Sequence, residues 1–204
     1  MKILKLLPLI CSGCFLLSAQ IPAGSLSLIG PSGVRPGKTI TLELTLATSA
    51  APAGLQWSMS SPLTLPKPEV GSAAAAAVKD AYCSDAGTCL IIGLNTNTIQ
   101  PGPVAVYSVA IPFGRAPGSI MMLELAGVQA ANKDGVEIAI LAGPPLILSV
   151  LPGHDLNEDG VTNMADVTLM LDQVLRRSPC VDDQNGDGKC DLIDVLRVIR
   201  GALP

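Results

Sequence analysis

Asp155, Asn157, Asp159, Asn163 and Asp166 fall at positions 1, 3, 5, 9 and 12 of one twelve-residue stretch, DLNEDGVTNMAD. Oxygen-bearing side chains at that spacing are the donor set that holds a calcium ion, with Gly160 turning the chain at position 6 and the Val161 carbonyl at position 7. The stretch DQNGDGKCDLID repeats the pattern 28 residues later, with Asp183, Asn185, Asp187, the Lys189 carbonyl, Asp191 and Asp194, and Gly188 at the turn. Four acidic side chains within the first twelve residues repel one another and each prefers water. A divalent cation in each loop turns that repulsion into coordination. The pair of loops therefore implies two Ca2+ ions.

The elements that must position these ligands are unusual. Before loop one stands GPPLILSVLPGH, and before loop two RRSPCVD, both interrupted where a preceding helix would lie. After each loop a helix is predicted: Val167, Met170, Leu171 and Val174 recur at 0, 3, 4 and 7, as do Leu192, Val195, Leu196 and Ile199. Position 12 is Asp in both loops, where the common EF-hand has Glu. Asp is a methylene shorter, so each following helix must sit nearer the ion. Paired D-x-N-x-D-G loops, Asp at 12 and one helix after each resemble the dockerin family over residues 154–204. That resemblance implies a calcium-dependent plug for a cohesin-bearing chain, contacted through loop positions 10 and 11. Those positions hold Met164–Ala165 and Leu192–Ile193, where one major dockerin class has a Ser/Thr pair. Met164 and Leu192 extend the apolar stripe and are expected in the core. Ala165 and Ile193 are open between core and partner contact.

The charge is local. Residues 151–204 carry ten acids against five bases, while the whole chain is −4. Nothing offers a basic face for nucleic acid. Residues 1–19 read as an export signal: MKILK, an apolar run too short to span a bilayer, then small residues. The rival reading lipidates Cys14. No later segment is a membrane span, and the expected location is extracellular or at a bacterial-type cell surface. Removing the signal removes Cys11 and Cys14 and leaves an even four. Cys83 and Cys89 flank a turn-like SDAGT, and Cys180 and Cys190 bracket loop two, so two disulfides are expected. Thiol metal binding is the weaker idea, with His154 the single histidine.

Residues 25–151 read as strands. In TITLELTL (39–46) Thr and Glu alternate with Ile40, Leu42, Leu44 and Leu46, and LQWSM (55–59) places Leu55, Trp57 and Met59 on one side. Apolar runs follow at 89–94, 104–111, 120–125, 136–141 and 146–151, separated by PGP, RAPG, NKDG and AGPP; at this spacing about eight or nine short strands are expected over the region, in two antiparallel sheets packed face to face. The one helical candidate there is SAAAAAVKD, with Ser72 as N-cap. GVRPGKTITLELTLATSAAPAGLQWSMS and LELAGVQAANKDGVEIAI resemble the cohesin family, although MSSPLTLP stands where cohesins often have YDP. The resemblance implies a non-catalytic jelly-roll sandwich that binds a dockerin on one sheet face.

The expected class is mainly β with an α-helical C-terminal module: sandwich at 25–151, linker 152–154, calcium module 155–204. No carboxylate pair, nucleophile elbow or phosphate loop points to catalysis. The expected function is secreted, calcium-dependent protein assembly. The partner is a cohesin- or dockerin-bearing chain, including a second copy head to tail. Carbohydrate binding through Trp57, Tyr82 or Tyr107 is the alternative, with polysaccharide as partner, although Trp57, on one side with Leu55 and Met59, is expected in the core.

Overall fold

The computed structural model describes residues 22–185 and 187–203. The export-signal reading, Cys11 and Cys14 included, lies outside them. The elements in chain order are β1 (Gly24–Ile29), β2 (Gly33–Val34), β3 (Thr39–Thr48), β4 (Gly54–Ser60), β5 (Glu69–Val70) and α1 (Ser72–Ala76). There follow β6 (Asp80–Cys83), β7 (Thr88–Ile92), β8 (Gly102–Ala110), β9 (Ile120–Ala131), β10 (Glu137–Ile138), β11 (Ile140–Ala142) and β12 (Leu146–Val150). Two helices close the chain, α2 (Met164–Val174) and α3 (Leu192–Ala202).

Two sheets face each other. One runs β11-β1-β3-β8-β5; the other runs β2-β12-β9-β4-β7-β6, with β10 paired to β9. The strand count exceeds the eight or nine expected because short strands such as β2, β5 and β6 join the sheets and the 136–141 run divides into β10 and β11. β1 pairs in parallel with β11 in one sheet, and β2 pairs in parallel with β12 in the other. The chain thus changes sheets between Ile29 and Gly33 and again between Ala142 and Leu146. At the second crossing Gly143 lies against Ser27, whose side chain a Cβ would strike.

Strand alternation builds the core. Leu42, Leu44 and Leu46 of β3 are buried while Thr41 and Glu43 face water, as period two requires. Leu55 and Trp57 of β4 are buried and Met59 is half-buried. Trp57 donates its indole N–H to the buried Tyr107 hydroxyl at 2.9 Å, and that hydroxyl donates to Cys89 Sγ at 3.9 Å. Burial raises the Tyr107 pKa, partly offset by the bond from Trp57. The helix α1 begins one residue earlier than expected: its N-cap is Gly71, and no side chain caps it, Ser72 included.

The two outer faces differ. Thr39, Thr41, Glu43 and Ser108 line the solvent side of the five-stranded sheet. The other sheet exposes Tyr82, Leu90, Ile92, Met122 and Ile147. Cross-strand register sets Tyr82 beside Leu90, Leu90 beside Gln56, and Gln56 beside Gln129. A separate small core joins α2 to α3 through Leu156, Val167, Met170, Val195 and Val198. Among the described residues no helix is long and apolar enough to cross a membrane.

Candidate metal centre

The two loops are near copies in their hydrogen bonds. In loop one, Asp166 Oδ1 accepts from Leu156 N at 2.6 Å and Asn157 N at 3.1 Å. Asp155 accepts from Asp159 N and Gly160 N at 3.1 and 2.8 Å, and Asp159 Oδ1 accepts from Val161 N at 2.9 Å. Loop two repeats this: Asp194 Oδ1 accepts from Gln184 N and Asn185 N at 2.8 and 3.2 Å. Asp183 accepts from Gly188 N at 2.6 Å and Asp187 Oδ1 from Lys189 N at 2.9 Å. Gly160 and Gly188 have φ of +96° and +83°, a left-handed turn that position 6 requires and that L side chains resist. Bonds from Val161 N and the Asn157 side chain hold the Asp159 carboxyl below its ordinary pKa against a small opposing effect of burial.

The residues at positions 9 and 12 of each loop also start the helix. Asn163 is the N-cap of α2, accepting from Ala165 N at 2.7 Å, and Asp166 reaches back to Asn163 N at 2.8 Å. Asp191 and Asp194 do the same for α3, both bonds at 2.8 Å. This reciprocal capping satisfies otherwise orphaned donors of the first turn. It was readable as N-x-x-D and D-x-x-D before each apolar stripe, yet went unassigned at the sequence level.

Asp155, Asp166 and Asp194 have 0% exposure. Three buried carboxylates in a small module are costly unless paired or coordinated. The donors in each loop are all oxygens, which fits a hard divalent cation. As they stand, their carboxylates engage backbone N–H groups. Among the described residues no three His, Cys, Asp or Glu side chains are gathered closely enough to hold an ion without adjustment. Position 4 of loop two, Gly186, lies outside the described residues.

The helix stripes are rotated from their expected phase. Met164 and Leu192, expected in the core, are 67% and 65% exposed, and Leu171 and Leu196 also face water. The cause is position 12. Burying Asp166 at the loop places Val167, Met170 and Val174 on the inner face, and Met164, two residues earlier at about 100° per residue, on the opposite one. Ala165 and Ile193 are exposed as well.

Cys83 is bonded to Cys89 across β6 and β7, and Cys180 to Cys190 across loop two. Reducing the second, which spans 10 residues, is expected to destabilise the C-terminal unit by about 2–3 kcal/mol. Calorimetric melting with and without reductant checks this. Trp57 and Tyr107 are buried, which removes them as sugar-stacking platforms. Tyr82 alone of the three is open, with Lys67 Nζ 5.8 Å from its ring centre.

Sequence reasoning missed one group of residues. Arg35 and Lys38, in the turn between β2 and β3, reach the C-terminal unit. Arg35 Nη1 donates to Asp182 Oδ1 at 2.9 Å, and Lys38 Nζ stands 2.8 Å from the same oxygen and 2.7 Å from the Val181 carbonyl. Arg35 Nε lies 3.4 Å from Glu158 Oε1, an ion pair without hydrogen-bond geometry. Burial raises the Asp182 pKa, but bonds from Lys38 and Gln173 and the charge of Arg35 outweigh it and leave the pKa lowered. Partners 147 residues apart carry no local signal in the sequence.

Among solved structures, the chain is similar to the sixth cohesin from scaffoldin B of Acetivibrio cellulolyticus, crystallised in complex with a mutant Cel5 dockerin. The TM-score is 0.52 at 13% identity, covering 63% of this chain and 99% of that one. It is also similar to a non-cellulosomal cohesin from the hyperthermophilic archaeon Archaeoglobus fulgidus. There the TM-score is 0.51 at 14% identity, over 65% of this chain and 96% of that one. At these identities the likeness establishes a cohesin-like β-sandwich fold. No protein-family profile matches the chain, and no curated protein matches it.

Proposed function

We propose that this chain is a secreted, non-catalytic assembly protein in which a cohesin-like sandwich carries a dockerin-like, calcium-dependent plug. The observation that carries the reading is the pair of matching loop–helix units, each with a buried position-12 aspartate at its centre and apolar residues turned outward. Asp155, Asn157, Asp159, the Val161 carbonyl, Asn163 and Asp166 would hold one ion. Asp183, Asn185, Asp187, the Lys189 carbonyl, Asp191 and Asp194 would hold the second. Calcium would neutralise the crowded carboxylates and contribute folding free energy to a unit whose own core is small.

The plug would meet its partner through the exposed start of each helix: Met164, Ala165, Leu192 and Ile193. An apolar patch ringed by polar residues is an ordinary protein-binding surface. On the sandwich, the apolar seven-stranded face with Tyr82, Leu90 and Ile92 suits a protein partner better than the Thr-rich opposite face. The cohesin solved with a dockerin supports that class of partner. Light scattering with calcium and with chelator tests the reading, alone and with separate cohesin-bearing and dockerin-bearing chains. A calcium-dependent rise in mass with any of the three is expected; constant mass throughout would overturn assembly as the function.

A further inference from the structure

The Arg35–Asp182 contact joins the two units and is the best-buried ion pair among the described residues, with side chains 9% and 6% exposed. Its acidic partners belong to the two proposed calcium loops, one just before loop two and one within loop one. Asp182 immediately precedes Asp183, position 1 of loop two, and Glu158 is position 4 of loop one. Gln173 of α2 completes the cluster: its amide donates to Asp182 Oδ2 at 2.9 Å, and its carbonyl accepts from Val181 N and Asp182 N at 2.9 and 3.0 Å.

We propose that this cluster is a latch, set by calcium, that clamps the C-terminal unit in one pose on its own sandwich. The setting by calcium rests on the functional reading above; the clamp itself does not. Ordering loop two fixes the backbone of Asp182, and ordering loop one fixes Glu158, so ion uptake presents both acids to Arg35 and Lys38. Coupling of this kind is reciprocal: the closed latch in turn holds both loops ready and tightens calcium binding. A buried pair resists loss of either partner because the other is left as an uncompensated charge. The latch also decides what the plug can reach. It sits at β2, at one edge of the second sheet, while Leu90 and Ile92 lie on β7, four strands away. At about 4.8 Å per strand that is about 20 Å, and in this pose Leu90 and Ile92 stay open to solvent. Partner contacts at that face are therefore made between chains.

The test uses the full chain carrying Arg35→Ala with Lys38→Ala, which alters no calcium-loop residue. In saturating calcium, proteolytic cleavage within 151–154 is expected to quicken by about tenfold or more, and calcium affinity by calorimetry to weaken by about threefold to tenfold. Emission from Trp57, the single tryptophan and wholly buried, reports that the sandwich stays folded. Should the double variant shift that emission, Lys38→Met alone, which keeps Arg35, is expected to quicken cleavage by about threefold. Cleavage at the wild-type rate overturns the latch. Faster cleavage with unchanged calcium affinity overturns its setting by calcium. A wild-type chain that takes up no calcium overturns the functional reading, and the cleavage comparison still judges the clamp.

Discussion

Asp166→Ala is expected to abolish the calcium-induced helical circular dichroism of residues 155–203 while leaving the sandwich folded. The buried carboxylate accepts three backbone N–H groups, from Leu156, Asn157 and Asn163. Hydrogen bonds to a charged group contribute about 1.5–3 kcal/mol each. Losing three, with the α2 cap and one proposed ion, exceeds what five buried apolar residues can hold together. The same collapse is expected in the wild type when a chelator strips the ions, because Asp155, Asp166 and Asp194 would then be buried without a cation. Magnesium is expected to restore little helicity, since it demands a tight octahedron and keeps its waters. Far-ultraviolet dichroism, read beside Trp57 emission, separates module from sandwich. Wild-type helicity that survives excess chelator would refute calcium-coupled folding.

Leu90→Asp combined with Ile92→Asp is expected to weaken capture of the proposed dockerin-bearing partner by about a hundredfold or more. Both side chains point outward from β7, at 36% and 50% exposure, so the fold tolerates the change. A protein interface concentrates its energy in a few central apolar residues, and a carboxylate buried there without a partner costs several kcal/mol. Thr41→Asp, on the outer face of the other sheet, is the control and is expected to bind like the wild type. Titration calorimetry reads both. Equal affinities in all three chains would move the partner surface elsewhere.

Much of the fold is legible in the sequence. Alternation in TITLELTL fixed which side of β3 enters the core, because a strand has only two faces. The two matching loops and their left-handed glycines were legible because the repeated D-x-N-x-D-G pattern restricts residue type at nearly every position. The outward turn of Met164 and Leu192 was not, since apolar periodicity gives a stripe but not its phase. That phase is set by which residue must face the loop, here the position-12 aspartate. The two-sheet end strands were hidden because a crossing leaves no periodicity of its own. The Arg35–Asp182 contact joins segments that only the tertiary fold brings together.

The parallel pairing of the sandwich's first and last strands has a mechanical consequence. A tug on the N-terminal side of β1 and an opposite tug beyond β12 slide β1 along β11 and β2 along β12. Load then falls on every rung of both ladders at once instead of opening them one rung after another. Single-molecule stretching with the handles at either end of the sandwich is expected to show one abrupt yield rather than a gradual unzipping.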